Sequence, residues 1–224
     1  MPTPIEISER ILEAVLAKKL AAGARLGEQQ LCTLFDATRA AVREALARLA
    51  VRGIVKSSAR RGWYLAELGK EEAAAAFHAR KVIETGLIRC AKGLDKSALK
   101  RLRAHVKRQQ EAVQGSNVGL RSYLLGDFHV CMAECLGNPL LADTVRDLTA
   151  RTTLVALRYQ SREDAADSCK EHAAIVAALE ANDFGLAESL VSAHLTTWEA
   201  KLPMPPEVED DALSELRHAL EPIE

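Results

Sequence analysis

Thr38-Arg39-Ala40-Ala41-Val42-Arg43-Glu44-Ala45-Leu46-Ala47-Arg48-Leu49-Ala50-Val51 is the stretch on which the fold turns. Val42, Ala45, Leu46 and Leu49 recur at three- and four-residue spacing, the apolar stripe of a helix from Arg39 to Val51. Thr38 is placed to cap it, because its hydroxyl can accept from the N–H groups that open a helix. Arg39 and Arg43 lie one turn apart and off the stripe, so two guanidinium groups project together. Such groups match phosphate oxygens and the guanine edge in a major groove, and a helix N-terminus itself attracts phosphate. The competing reading is two solvated charges on an amphipathic helix; the flanking sequence decides between them.

Upstream, Ile7, Ile11, Leu12, Val15 and Leu16 predict a helix running to about Leu20, with Gly23 ending it. A second helix is expected from Glu28 to Phe35, with Leu31, Leu34 and Phe35 inside, and Asp36-Ala37 turns the chain into the third. Downstream, Ile54-Val55-Lys56 and Trp63-Tyr64-Leu65 read as two short strands around a polar turn. Arg60, Arg61 and Gly62 sit at its tip, where glycine allows close backbone approach and arginines can enter a minor groove. Charge follows the same division. Residues 1–68 carry 11 Lys and Arg against 7 Asp and Glu, and the remainder 19 against 24, a basic head on an acidic body.

This pattern resembles the winged helix of the GntR family of bacterial regulators over roughly residues 7–66. The resemblance is carried by Leu26-Gly27-Glu28-Gln29-Gln30-Leu31, Thr38 to Leu46, Leu49, Gly53-Ile54-Val55 and Gly62. It implies that Gln29, Thr38, Arg39, Arg43, Arg61 and Gly62 contact operator DNA. Ala24 stands where the family often has proline, and Ala40 and Ala41 where it often has polar residues.

Beyond the polar join Glu67–Lys70, Ala, Leu and Val with abundant Glu, Arg and Lys favour helices over sheets. Helices are expected at about 71–92, 96–114, 119–136, 140–160, 164–181 and 184–201, divided by Gly-, Asn- and Pro-containing breaks. Short connections make neighbours antiparallel. The fold class is therefore mainly α: a winged helix-turn-helix with a small β-hairpin wing over 1–68, then an antiparallel all-α bundle over 69–202. Pro203, Pro205 and Pro206 open a tail, 203–224, in which Leu213, Leu216 and Leu220 suggest a short helix. No apolar run approaches a membrane span and the start lacks a signal-peptide pattern, so no membrane partner and a cytoplasmic location are expected. Five cysteines without a C-x-x-C pair indicate neither a disulfide framework nor a cysteine zinc knuckle.

Three histidines share apolar stripes: His129 with Leu125, Met132 and Leu136; His172 with Ile175, Val176 and Leu179; His194 with Leu190, Val191 and Trp198. Each alone reads as a hydrogen-bonded core residue. Together, from three helices of one bundle, they form a cluster that a divalent metal would satisfy, and spacing leaves both readings open. Arg80 also faces inward, one turn from Glu84; its anion is either that carboxylate or one on a ligand. Arg151, Arg158, Tyr159 and Gln160 are candidates for the same cavity, whereas His78, His105 and His218 fit helix surfaces and receive no role. Cys131 points about 200° away from His129 and is not expected to ligate.

Arg80-x-x-x-Glu84, Phe128-His129 with Gly137-Asn138-Pro139-Leu140, Glu171-His172-x-x-Ile175 with Asp183 and Ala187, and His194-Leu195 resemble the FadR-type ligand-sensing domain, FCD, over roughly 73–201. The resemblance implies a divalent metal, often zinc, on His129, His172 and His194, a small organic acid against metal and arginine, and a homodimer. Leu125 replaces the aspartate that the family carries one turn before the first histidine. The reading is a regulator, not an enzyme, whose partners are double-stranded operator DNA and a small carboxylate effector. Its competitors are a metal-free regulator of the same type holding a larger ligand such as an acyl thioester, and a metal-dependent hydrolase. The latter lacks an H-E-x-x-H or comparable motif.

Overall fold

The computed structural model describes residues 1–17, 19–60, 62–156 and 161–201. Helix α1 (Pro4–Leu16) begins earlier than the apolar stripe, because Thr3 and Glu6 form a reciprocal capping box with Pro4 in the first turn. It also ends earlier than expected, at Leu16, with Ala17 capping it and Gly23 at φ +76° in the following turn. After α2 (Glu28–Phe35), Asp36 at φ 48° makes the left-handed turn into α3 (Arg39–Val51), and the Thr38 hydroxyl accepts from Ala41 N. Leu31 is buried, but Leu34, expected inside, is 75% exposed. Strands β1 (Val55–Ser58) and β2 (Gly62–Leu65) pair antiparallel, and residues 23–26 add backbone bonds to the open edge of β2.

Six further helices complete the described residues: α4 (Lys70–Cys90), α5 (Lys96–Gln114), α6 (Val118–Cys135), α7 (Pro139–Ala156), α8 (Arg162–Glu180) and α9 (Phe184–Ala200). They pack as a closed ring in the order α4, α7, α6, α5, α8, α9. Cross-links such as Lys81–Glu199 with Arg89–Glu188, and Arg101–Glu134 with His105–Asp127, run in opposite residue order and so mark antiparallel neighbours. The ring turns one face of α4, α6, α8 and α9 toward a common centre. None of the helices described is long and apolar enough to cross a membrane.

The two parts share side chains. Ala150 and Leu154 of α7 are buried in the apolar cluster built by Ile7, Leu12, Leu46, Leu49 and Ile54. Helix α1 packs on α6 and α7. The winged helix is thus seated on the bundle through a shared apolar core. Because Leu46 is fully buried within it, Leu46→Ala should cost about 2–5 kcal/mol. Urea unfolding of the two proteins measures this.

Candidate functional site

Helix α3 presents Arg39 and Arg43 with side chains 63% and 64% exposed. Neither is idle. Arg43 Nε donates to Glu28 Oε1 at 2.9 Å, and Trp63 Nε1 on β2 donates to the same oxygen at 3.0 Å. Arg39 Nη2 donates to Gln29 Oε1 at 3.2 Å, and its Nε lies 3.9 Å from Glu28 Oε2. The bond from Arg43, more than any other contact, holds the Glu28 carboxyl below its usual range. One carboxylate therefore ties α2, α3 and the wing together. Arg60 is exposed in the wing turn, and Gly62 at φ +69° has open space where a side chain would stand. Arg61 lies outside the described residues.

At the centre of the ring, α6, α8 and α9 bring His129, His172 and His194 together with 3%, 0% and 4% exposure. His194 Nε2 lies 3.2 Å from His129 Nε2 and 3.3 Å from His172 Nε2. Their Nδ1 atoms point outward to fixed partners: Glu84 Oε2 at 2.6 Å, Gln109 Oε1 at 2.8 Å and Glu171 Oε2 at 2.6 Å for His129, His172 and His194 in turn. An ionised carboxylate only accepts, so His129 and His194 carry hydrogen on Nδ1. For His172 the chain is longer. His105 Nε2 lies 3.1 Å from Asp127 Oδ2, and the Gln109 amide nitrogen faces His105 Nδ1 at 2.9 Å. The Gln109 oxygen then faces His172 and accepts from its Nδ1–H.

In neutral imidazoles so arranged, the three Nε2 atoms face one another as bare lone pairs with no hydrogen to share. Burial, followed by the charge of Arg80 for His129 and the neighbouring histidines for His172, pushes both well below the usual imidazole range. A divalent ion would accept lone pairs from all three rings at once. Zinc–nitrogen bonds of about 2.05 Å in tetrahedral geometry separate nitrogens by about 3.3 Å, close to the His194–His129 and His194–His172 separations. No fourth His, Cys, Asp or Glu ligand joins the cluster among the described residues. Leu125 lines the adjoining cavity instead.

That cavity, about 70 Å³, is bounded by Arg80, Leu125, His129, Thr149, Thr152 and His194 among others. Arg80 is 4% exposed; its Nε donates to Glu84 Oε1 at 2.9 Å and its Nη1 to Thr152 Oγ1 at 2.9 Å. Its Nη2 and Thr149 Oγ1 are buried without a protein partner. Glu84 is thus shared between Arg80 and His129, and the anion that Arg80 meets in this structure is that carboxylate. Burial pushes the Glu84 carboxyl up, against the charge of Arg80.

Several expectations change. His105 is buried, not on the surface, because it, Leu102, Gln109 and Ala112 form an inward stripe on α5; that spacing was the signal for the Gln109–His105–Asp127 chain. His78 is exposed. Arg151 turns away from the cavity and donates to the backbone oxygen of Arg52. Cys131 packs in the apolar cluster with Phe128 and Met132, away from the histidine nitrogens. Arg158, Tyr159, Gln160, His218 and the tail lie outside the described residues.

The fold is that of a winged helix joined to a helical bundle. Residues 5–65 match the model of the bacterial regulatory proteins of the gntR family, and residues 75–197 match the FCD domain. The chain is 25% identical over 180 residues to the HTH-type transcriptional repressor RspR of Escherichia coli K12, covering 79% of this chain and 78% of that one. It is 27% identical over 197 residues to the HTH-type transcriptional regulator LutR of Bacillus subtilis, covering 76% and 87%. Among solved structures, E. coli McbR/YncC superposes with TM-score 0.79 at 16% identity, covering 97% and 99% of the two chains. A regulator of GntR type from Rhodococcus sp. RHA1 superposes with TM-score 0.78 at 20% identity, covering 88% and 96%. The chain belongs to the GntR family of DNA-binding transcriptional regulators, FCD type.

Were Arg39 and Arg43 to meet DNA phosphate, Glu28 would compete with it for them. Glu28→Gln should tighten binding to random-sequence duplex and steepen the slope of log K against log salt by about 1. Fluorescence anisotropy across a salt series reads this directly, and an unchanged slope contradicts the competition.

Proposed function

We propose that this chain changes its operator affinity when a small carboxylate effector binds beside a divalent metal, zinc by the donor set, on His129, His172 and His194. The observation that carries this reading is the meeting of two features at one cavity: three clustered imidazole nitrogens that suit a cation, and a buried guanidinium nitrogen without a protein partner that suits an anion. A divalent ion there would supply positive charge and open coordination positions. Arg80 Nη2 and Thr149 Oγ1 would hold the carboxylate from the other side, while Glu84 keeps Arg80 and His129 in register. Replacement of the family aspartate by Leu125 leaves the ion with no protein carboxylate among the described residues, so an anionic ligand is needed to offset its charge.

The small cavity favours a short acid over an acyl thioester. Glu84 and Glu171, the carboxylates bonded to the triad, are engaged with histidine N–H groups, which argues against a hydrolytic base beside the metal. In this reading residues 1–68 form the DNA-binding domain, 69–202 the effector domain and 203–224 a tail. Gln29, Thr38, Arg39, Arg43, Arg60, Arg61 and Gly62 face the operator, and Arg158 and Tyr159 are further candidates for the effector site. The protein acts in the cytoplasm as a homodimer, since two winged helices joined by their bundles reach a two-fold operator at higher effective concentration than one.

Protein purified without chelator should carry about one zinc per chain by elemental analysis, and His172→Ala should carry none. In a thermal-shift screen of small carboxylates on zinc-loaded protein, a true effector at 100 times its Kd should stabilise the fold by about 2.7 kcal/mol. Arg80→Met should keep the zinc and lose that stabilisation. Zinc-free wild-type protein, or carboxylate stabilisation that survives Arg80→Met, contradicts the reading.

A further inference from the structure

Helix α7 has two working faces. Thr149 and Thr152 line the effector cavity, and Thr152 accepts from Arg80. About 200° around the helix from Thr149, Arg151 reaches the C-terminus of α3. Its Nε donates to the backbone oxygen of Arg52 at 2.9 Å and its Nη2 donates to the same atom. Arg52 is the C-cap of α3. A helix C-terminus presents unpaired carbonyls and a partial negative charge, so a guanidinium supplies both the missing donors and the favourable charge.

The joint is tightly built. Gly53 follows at φ +71°, and a side chain there would collide with the Arg151 guanidinium. The Arg52 side chain runs back to α7, donating to Asp147 Oδ1 at 2.5 Å, and to α1, donating to Glu9 Oε1 at 3.0 Å. Asp147, Ala150, Arg151 and Leu154 thus form one α7 stripe that grips the end of α3 and its core, while Thr149 and Thr152 face the cavity.

We propose that Arg151 is a positioning residue for the DNA-reading helix: it caps α3 from the effector bundle and passes the state of the effector cavity to Arg39 and Arg43. The signalling half rests on the metal and effector reading above. The path is contiguous. His129 shares Glu84 with Arg80, Arg80 holds Thr152, and Thr152 lies on the same rigid helix as Arg151. A small rotation of α7 that satisfies a cation and an anion in the cavity must move the Arg52 carbonyl, and with it the pitch of α3 against the wing.

Hydrogen exchange on the full chain, with zinc as the probe, tests this in two arms using Arg151→Leu and Arg151→Lys. Without zinc, amides of residues 52–55 should exchange roughly tenfold faster in Arg151→Leu, and Arg151→Lys, which keeps a cationic donor, should recover part of the protection. With zinc, α6, α8 and α9 should gain protection in all three proteins, while residues 49–55 should respond in wild type, partly in Arg151→Lys and not in Arg151→Leu. Unchanged zinc-free exchange in Arg151→Leu overturns the cap. A response of residues 49–55 that persists in Arg151→Leu, or that is missing in wild type while the bundle responds, overturns the transmission. If zinc leaves α6, α8 and α9 unaltered in wild type, the metal reading falls and takes the signalling half with it; faster zinc-free exchange in Arg151→Leu still establishes the cap.

Discussion

Three imidazole Nε2 atoms meet at the centre of the bundle, each ring held by a fixed partner on its far side. Glu84, Gln109 and Glu171 take the Nδ1 hydrogens of His129, His172 and His194, and burial keeps His129 and His172 neutral. An arrangement that places like dipoles in mutual contact inside a low-dielectric core opposes folding unless something neutralises it. The outer partners are therefore as much a part of the site as the histidines. They fix the orientation of each ring.

From that centre the molecule can be followed outward along one line of contacts. Glu84 ties a histidine to Arg80, Arg80 ties α4 to α7, and α7 enters the core of the winged helix with Ala150 and Leu154. The DNA-facing end has its own carboxylate hub, Glu28, which holds Arg43 and Trp63 and lies near Arg39. Both hubs set arginines in place by a shared acid, one buried and one near the surface. The buried pair is stiff because breaking it would strand a charge without water; the surface one is weak because water and salt screen it.

Much of this was legible in the residues alone. The α3 stripe, the Thr38 cap and the outward arginines follow from helical periodicity, and the three histidines are found by the same rule applied to α6, α8 and α9. Periodicity gives the face on which a side chain lies, not the neighbour it meets. Glu28 and Arg43 are 15 residues apart across a tight turn, and Glu28 and Trp63 are 35 apart, so nothing local announces their bond. Arg151 was visible as a residue on the fourth bundle helix, yet only the seating of α1 and α3 on α7 shows that it faces Arg52 rather than the cavity. Leu34 fits an inward stripe but ends exposed, because α2 is short and buries only the side holding Leu31.

X-ray absorption at the zinc edge on protein purified without chelator tests the central claim most directly. Three nitrogen scatterers of imidazole type at about 2.0–2.1 Å, completed by oxygen and without sulfur, are the predicted result. A spectrum showing sulfur ligation, or fewer than three imidazoles around the ion, would contradict it.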